Sequence, residues 1–153
     1  MIQYDWMNQI AGNGITTLMD HDEMIRLGAS LRQIDPGIMS PAKEGMTKIW
    51  YQGGEPYFDM VVELRNGKLE WFQFTLRGKS ISWKPEFSGF QTGKTNELQT
   101  DDMIFHPASK LIENNPQQDE KFMGLVQAIL QTRAGEPLFD EILKLFHEHS
   151  DRS

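Results

Sequence analysis

The sequence predicts an α+β fold, and three observations predict it. Short strands joined by tight turns fill residues 46–84, a capped amphipathic helix precedes them, and helical periodicity runs through the last third. The expected architecture is a single domain over residues 1–153. It has an N-terminal helix, a four-stranded antiparallel β-meander, and two or three C-terminal helices packed on one sheet face, with residues 1–19 and 95–100 irregular.

The strongest local signal is Asn66-Gly67, between Tyr57–Arg65 and Lys68–Arg77. Both residues tolerate positive φ, so the pair closes a hairpin between two runs rich in β-branched and aromatic residues. A two-residue turn sets Leu64 opposite Leu69, Val62 opposite Trp71 and Glu63 opposite Glu70, the last an unfavourable like-charge pair. A bulge at Gly67 instead gathers Phe58, Met60, Phe72, Phe74 and Leu76 on one face and Asp59, Val61, Trp71 and Gln73 on the other. Because a one-residue slip exchanges the faces, the residues leave both registers open. Either one leaves apolar side chains on both faces, so helices are expected over one and a loop, second subunit or partner over part of the other. Met46–Gln52 supplies a strand before this hairpin, and a turn at Gly78-Lys79 starts another over Ser80–Lys84. Phe87–Gly93 reads as a loop pinned by Phe87 and Phe90.

Asp20 and Glu23 have capping-box spacing, and Met24, Leu27, Gly28, Leu31 and Ile34 follow at helical intervals until Asp35-Pro36-Gly37. Asp101-Asp102 is expected to cap a short helix ending near His106-Pro107. Asn115-Pro116 offers an N-cap and first helical residue ahead of Phe122, Met123, Val126, Ile129 and Leu130, and Gly135 ends that helix. Pro137 opens the last helix, Leu138 to about His149. Its Leu138, Phe139, Ile142, Leu143, Leu145 and Phe146 exceed a narrow stripe, so a surplus apolar face is expected there.

Composition narrows the function classes. Hydrophobic residues make up 39% of the chain, with four Trp and nine Phe, which excludes a disordered polyelectrolyte. No apolar run approaches the roughly 18 residues of a membrane span. The first residues lack the basic and apolar regions of a secretory signal, so a cytoplasmic address is expected. With no Cys there is no thiolate chemistry and no zinc knuckle. The formal charge of −7 divides into −3 for residues 1–42 (two bases, five acids), +2 for 43–94 (eight, six) and −6 for 95–153 (five, eleven). That acidic chain makes nucleic acid an unlikely partner.

The chemical motifs are weak. His147 and His149 lie about 200° apart around a helix and do not share an ion, so neither a metal nor a cofactor is expected. Gly93-Lys94-Thr95 resembles the end of a phosphate-binding loop, but Ser88 stands where the upstream Gly belongs. There is no nucleophile elbow. Asp59 with Glu63 or Glu70 has strand spacing that could aim carboxylates into a cleft. Arg65, Lys68, Arg77, Lys79, Lys84 and Lys94 interleave with aromatic residues as in single-strand nucleic-acid platforms, but core packing explains those rings more simply.

Phe72-Gln73-Phe74, then Ile81-Ser82-Trp83, then Gly89-Phe90-x-x-Gly93, resembles a pattern of uncharacterised bacterial proteins over about residues 50–94. The resemblance implies a bacterial source and no activity. The expected function is a non-enzymatic protein-interaction module, an adaptor, chaperone or immunity-type partner, whose partner is another protein or a second copy in a homodimer. The expected ligand or partner surface is Trp71, Gln73, Phe74, Trp83 and Phe90. The alternatives are a small-ligand or sensory module with a pocket between sheet and helices lined by Trp71, Phe74 and Trp83, or a weak enzyme using Asp59 or Glu63 there.

Overall fold

Asn66 and Gly67 take φ of 51° and 82°, the signature of a type I′ turn, whose twist matches that of the strands it joins. Around this turn the computed structural model builds an antiparallel sheet, and it describes residues 20–34, 45–87, 89–95, 112–114 and 118–152. The strands are β1 (Arg32–Gln33), β2 (Met46–Gln52), β3 (Asp59–Arg65), β4 (Lys68–Leu76), β5 (Lys79–Trp83), β6 (Gln91–Thr95) and β7 (Ile112–Asn114). They lie in sequence order, each antiparallel to its neighbour. Helix α1 (His21–Ser30) precedes the sheet, and α2 (Glu120–Gln131) and α3 (Pro137–Arg152) follow it.

The α+β class holds, with one helix before the sheet and two after it, but four strands understate the sheet. The expected four are β2 to β5. The three further strands escape notice for physical reasons: β1 is two exposed residues, β6 is the polar run Gln91–Thr95 with a Gly inside, and β7 is only three residues long. Backbone pairing to β5 makes β6 a strand, not its own side-chain pattern. Of the expected loop Phe90 acts as a pin, stacking on Phe146 at 4.5 Å.

The hairpin combines features of both registers. Arg65 pairs with Lys68 and Leu64 with Leu69, as a two-residue turn requires. The register then shifts, setting Glu63 opposite Trp71, Val62 opposite Phe72 and Met60 opposite Phe74. The bulge is therefore at Glu70 and not at Gly67, and the expected pairs Val62 with Trp71 and Glu63 with Glu70 do not form. The extra residue removes the like-charge opposition, and Glu70 accepts instead from Arg65 Nε at 3.3 Å. The second turn falls one residue earlier than expected, at Arg77-Gly78, with φ of 50° and 83°. From this turn Arg77 donates to Glu55 at 2.8 and 3.0 Å and to Glu23 at 3.0 Å.

Asp20 caps α1 by accepting from the Glu23 N–H at 2.8 Å. Glu23 does not complete the box, because its carboxylate goes to Arg77. The helix stops at Ser30, before Asp35-Pro36, since Leu31 turns extended and Arg32–Gln33 join the sheet. Ile34 therefore leaves the helical stripe, and its N–H donates to the Trp50 carbonyl at 2.8 Å. Helix α2 begins at Glu120, capped by Asp119, which accepts from the Phe122 N–H at 3.1 Å. The expected start at Asn115-Pro116 is thus displaced, because Asp119 is also tied to the sheet: its N–H donates to Thr92 Oγ1 and its carboxylate meets Lys79. Gly135, at φ 102°, lies in the turn beyond the helix end, and Pro137 opens α3 as expected. Residues 1–19, the short helix proposed at Asp101–His106 and residues 96–100 lie outside the described residues.

One apolar cluster joins all three helices to one sheet face. Met24, Leu27 and Leu31 meet Met60, Val62, Phe72, Phe74, Leu76 and Ile81, with Phe122, Val126, Ile129, Phe139, Ile142 and Phe146 closing over them. Burying each of these large side chains contributes roughly 1.5–3 kcal/mol. The surplus apolar face expected on α3 is absorbed here: Phe139 and Ile142 are fully buried, and Leu138 and Leu145 pack against the cluster. Among the described residues Ile25 is the one exposed large hydrophobic. Where α1 crosses the end of α2, a Cβ on Gly28 would lie 2.0 Å from Thr132 Oγ1 and 3.0 Å from the Ile129 carbonyl, so only Gly permits the approach. Arg133 completes this corner. It donates to the Gly28 and Leu31 carbonyls at 2.8 Å each, satisfying the end of α1, while Glu136 grips its other edge and Phe139 lies 4.6 Å beneath it.

Candidate functional site

Strand alternation decides which of the expected surface residues share a face. Phe74 is fully buried in the cluster beneath the helices, Phe90 is buried against Phe146, and Trp83, paired with Phe72, packs against the same cluster. Trp71 and Gln73 alternate with Phe72 and Phe74 and so belong to the opposite face, where Gln73 is buried and Trp71 half-buried. The expected five-residue surface is therefore divided between two faces. The pocket proposed between sheet and helices does not form from Trp71, Phe74 and Trp83, because Trp71 points away from the other two.

On this second face the paired residues form rows across the strands. Trp50, Val61, Gln73 and Ser82 make one row, and Gln52, Asp59, Thr75, Ser80 and Gly93 make another. Trp50, Val61, Asp59, Gln73, Thr75 and Ser80 are all buried. Asp59 accepts from Thr75 Oγ1 at 2.6 Å, a short bond of the kind hydroxyls give to carboxylates. That engagement takes Asp59 out of the cleft role weighed for it.

The next row, toward the Asn66-Gly67 turn, is open to solvent. Lys48 pairs with Glu63, and Glu63 with Trp71. Around this row lies a groove of about 410 Å³ lined by Met46, Lys48, Glu63, Arg65, Glu70, Trp71, Lys84 and Glu86. Three bases face three acids. Lys48 Nζ stands 3.9 Å from Glu63, Arg65 is bonded to Glu70, and Lys84 and Glu86 are exposed at the rim. The bulge at Glu70 shapes this site: it sends that carboxylate to Arg65 and keeps Trp71 on the groove side while Phe72 enters the core. Of the expected surface residues only Trp71 lines the groove. Lys48, Arg65 and Glu70 come to it through strand register and Lys84 and Glu86 from the segment after β5, a signal available only once the strands are aligned.

The groove can hold a guest by indole contact and by charged hydrogen bonds of either sign. Among the described residues its lining holds no hydroxyl, thiol or imidazole. Among the described residues no group of three or more His, Cys, Asp or Glu side chains is placed to hold a metal ion. His147 is exposed, whereas His149 is half-buried with its ring 5.6 Å from that of Phe90. Of the aromatic residues weighed for a nucleic-acid platform, Phe72, Phe74 and Phe90 are buried and Trp71, Trp83 and Phe87 half-buried.

Among the described residues the shifted ionisations lie at the Arg133 corner and at Arg77, whose hydrogen bonds to Glu55 hold it charged, and none belongs to the groove lining. Arg133 is held charged chiefly by its hydrogen bonds to Glu136, and these in turn hold the Glu136 carboxyl below its ordinary range. Burial pushes the Tyr51 phenol up, with Arg133 opposing, and the ring packs edge-on against Phe139 at 5.3 Å. No helix is long and apolar enough to cross a membrane among the described residues. Comparison with known proteins found no matching family model, no matching curated protein and no matching solved structure.

Proposed function

We propose that this protein is a non-enzymatic interaction module that holds a segment of another protein in the groove around Trp71. The observation supporting this reading is a half-buried Trp set in an open channel between paired bases and acids, on the sheet face opposite the three helices. Indole rings and Arg dominate binding energy at protein interfaces, and mixed charge at a rim sets register and rejects wrong partners. Binding is the whole of the proposed activity. The module acts in the bacterial cytoplasm as an adaptor, chaperone or immunity-type partner, and a homodimer is the case in which the guest is a second copy.

A second reading is a small-ligand module. The groove volume of about 410 Å³ favours it, since this falls among typical ligand pockets of roughly 300–1,000 Å³. Ready access from solvent and the balanced charge of the lining suit a chain segment better.

Affinity capture from native lysate, run with the wild-type protein and with W71A, separates these readings. The interaction reading expects a discrete partner protein, or a second copy, retained by the wild type and reduced at least about tenfold by W71A, equal to about 1.4 kcal/mol. An unchanged circular dichroism spectrum would show that W71A is folded. Equal capture by both proteins contradicts the assignment of the groove.

A further inference from the structure

We draw no further inference here: the strongest candidate, the buried second face of the sheet around Trp50, whose indole N–H meets no acceptor among the described residues, carries nothing because nothing in the structure shows what covers it.

Discussion

Trp71 and Phe72 are neighbours in sequence with opposite fates, one beside an open groove and the other fully buried. Composition does not separate them, because both are large aromatic residues in the same strand. Phe74 and Phe90 carry the same ambiguity, and helical cover assigns both to the core. Arg77 shows the converse, a residue whose backbone conformation is unusual for its type. An L-residue with a Cβ pays roughly 1–2 kcal/mol in the left-handed region, and glycine does not. The contacts from Arg77 to Glu55 and Glu23 offset little of this, since the side chain is 46% exposed and solvent screens such pairs. R77A and R77G lose the same ion pairs and differ in the backbone term. Urea unfolding is expected to find R77G more stable than R77A by about 1 kcal/mol; equal stability would mean that position 77 is not left-handed.

The β3–β4 hairpin shows which parts of an element are local. Its turn is written in two adjacent residues and the Asp20 cap of α1 in two residues three apart; each was readable because the interaction spans no more than four positions. The bulge was legible in part: the clash of Glu63 with Glu70 in a regular ladder can be read, but its place at Glu70 and not at Gly67 is set by pairing between the strands. The start of α2 was missed for a related reason. Asn115-Pro116 is the better isolated signal, but Asp119 gains partners from β5 and β6 that sequence order hides. The groove was the least legible feature, since its lining comes from three strands, β2 to β4, and the segment after β5. Deleting Glu70 therefore leaves the faces of β4 intact, with Trp71 still opposite Glu63. Deleting Gln73 turns one side of the strand over and expels a core Phe, which costs about 3 kcal/mol or more. Thermal unfolding should find the first deletion folded and the second largely unfolded. A folded protein lacking Gln73 would contradict the register.

For the molecule, the corner at Arg133 ties α1 to the α2–α3 turn and makes folding respond to pH. The folded Glu136 carboxyl lies below its ordinary value of 4.5, so its contribution is present above that value and fades as pH falls through the folded one. E136Q removes this acid-side loss. Because the Glu136 side chain is 46% exposed, the difference should be under about 1 kcal/mol. Chemical denaturation from pH 7 down to about pH 3 should show the E136Q and wild-type stability curves converging at low pH. Tyr51 has the opposite sense: its phenol is raised above 10.0, so its contribution is present below that value and lost as pH rises beyond it.

Beyond stability, the fold places its helices on one face of the sheet and the Trp71 groove on the other, so a guest should touch the groove and leave the helices bare. A photo-crosslinking side chain installed in vivo at Lys84, at the groove rim, or at exposed Asp22 on α1 reads this directly. A discrete protein adduct at position 84 that is weak or missing at position 22 and disappears with W71A is the expected result. No adduct at position 84, or one that persists with W71A, would contradict it.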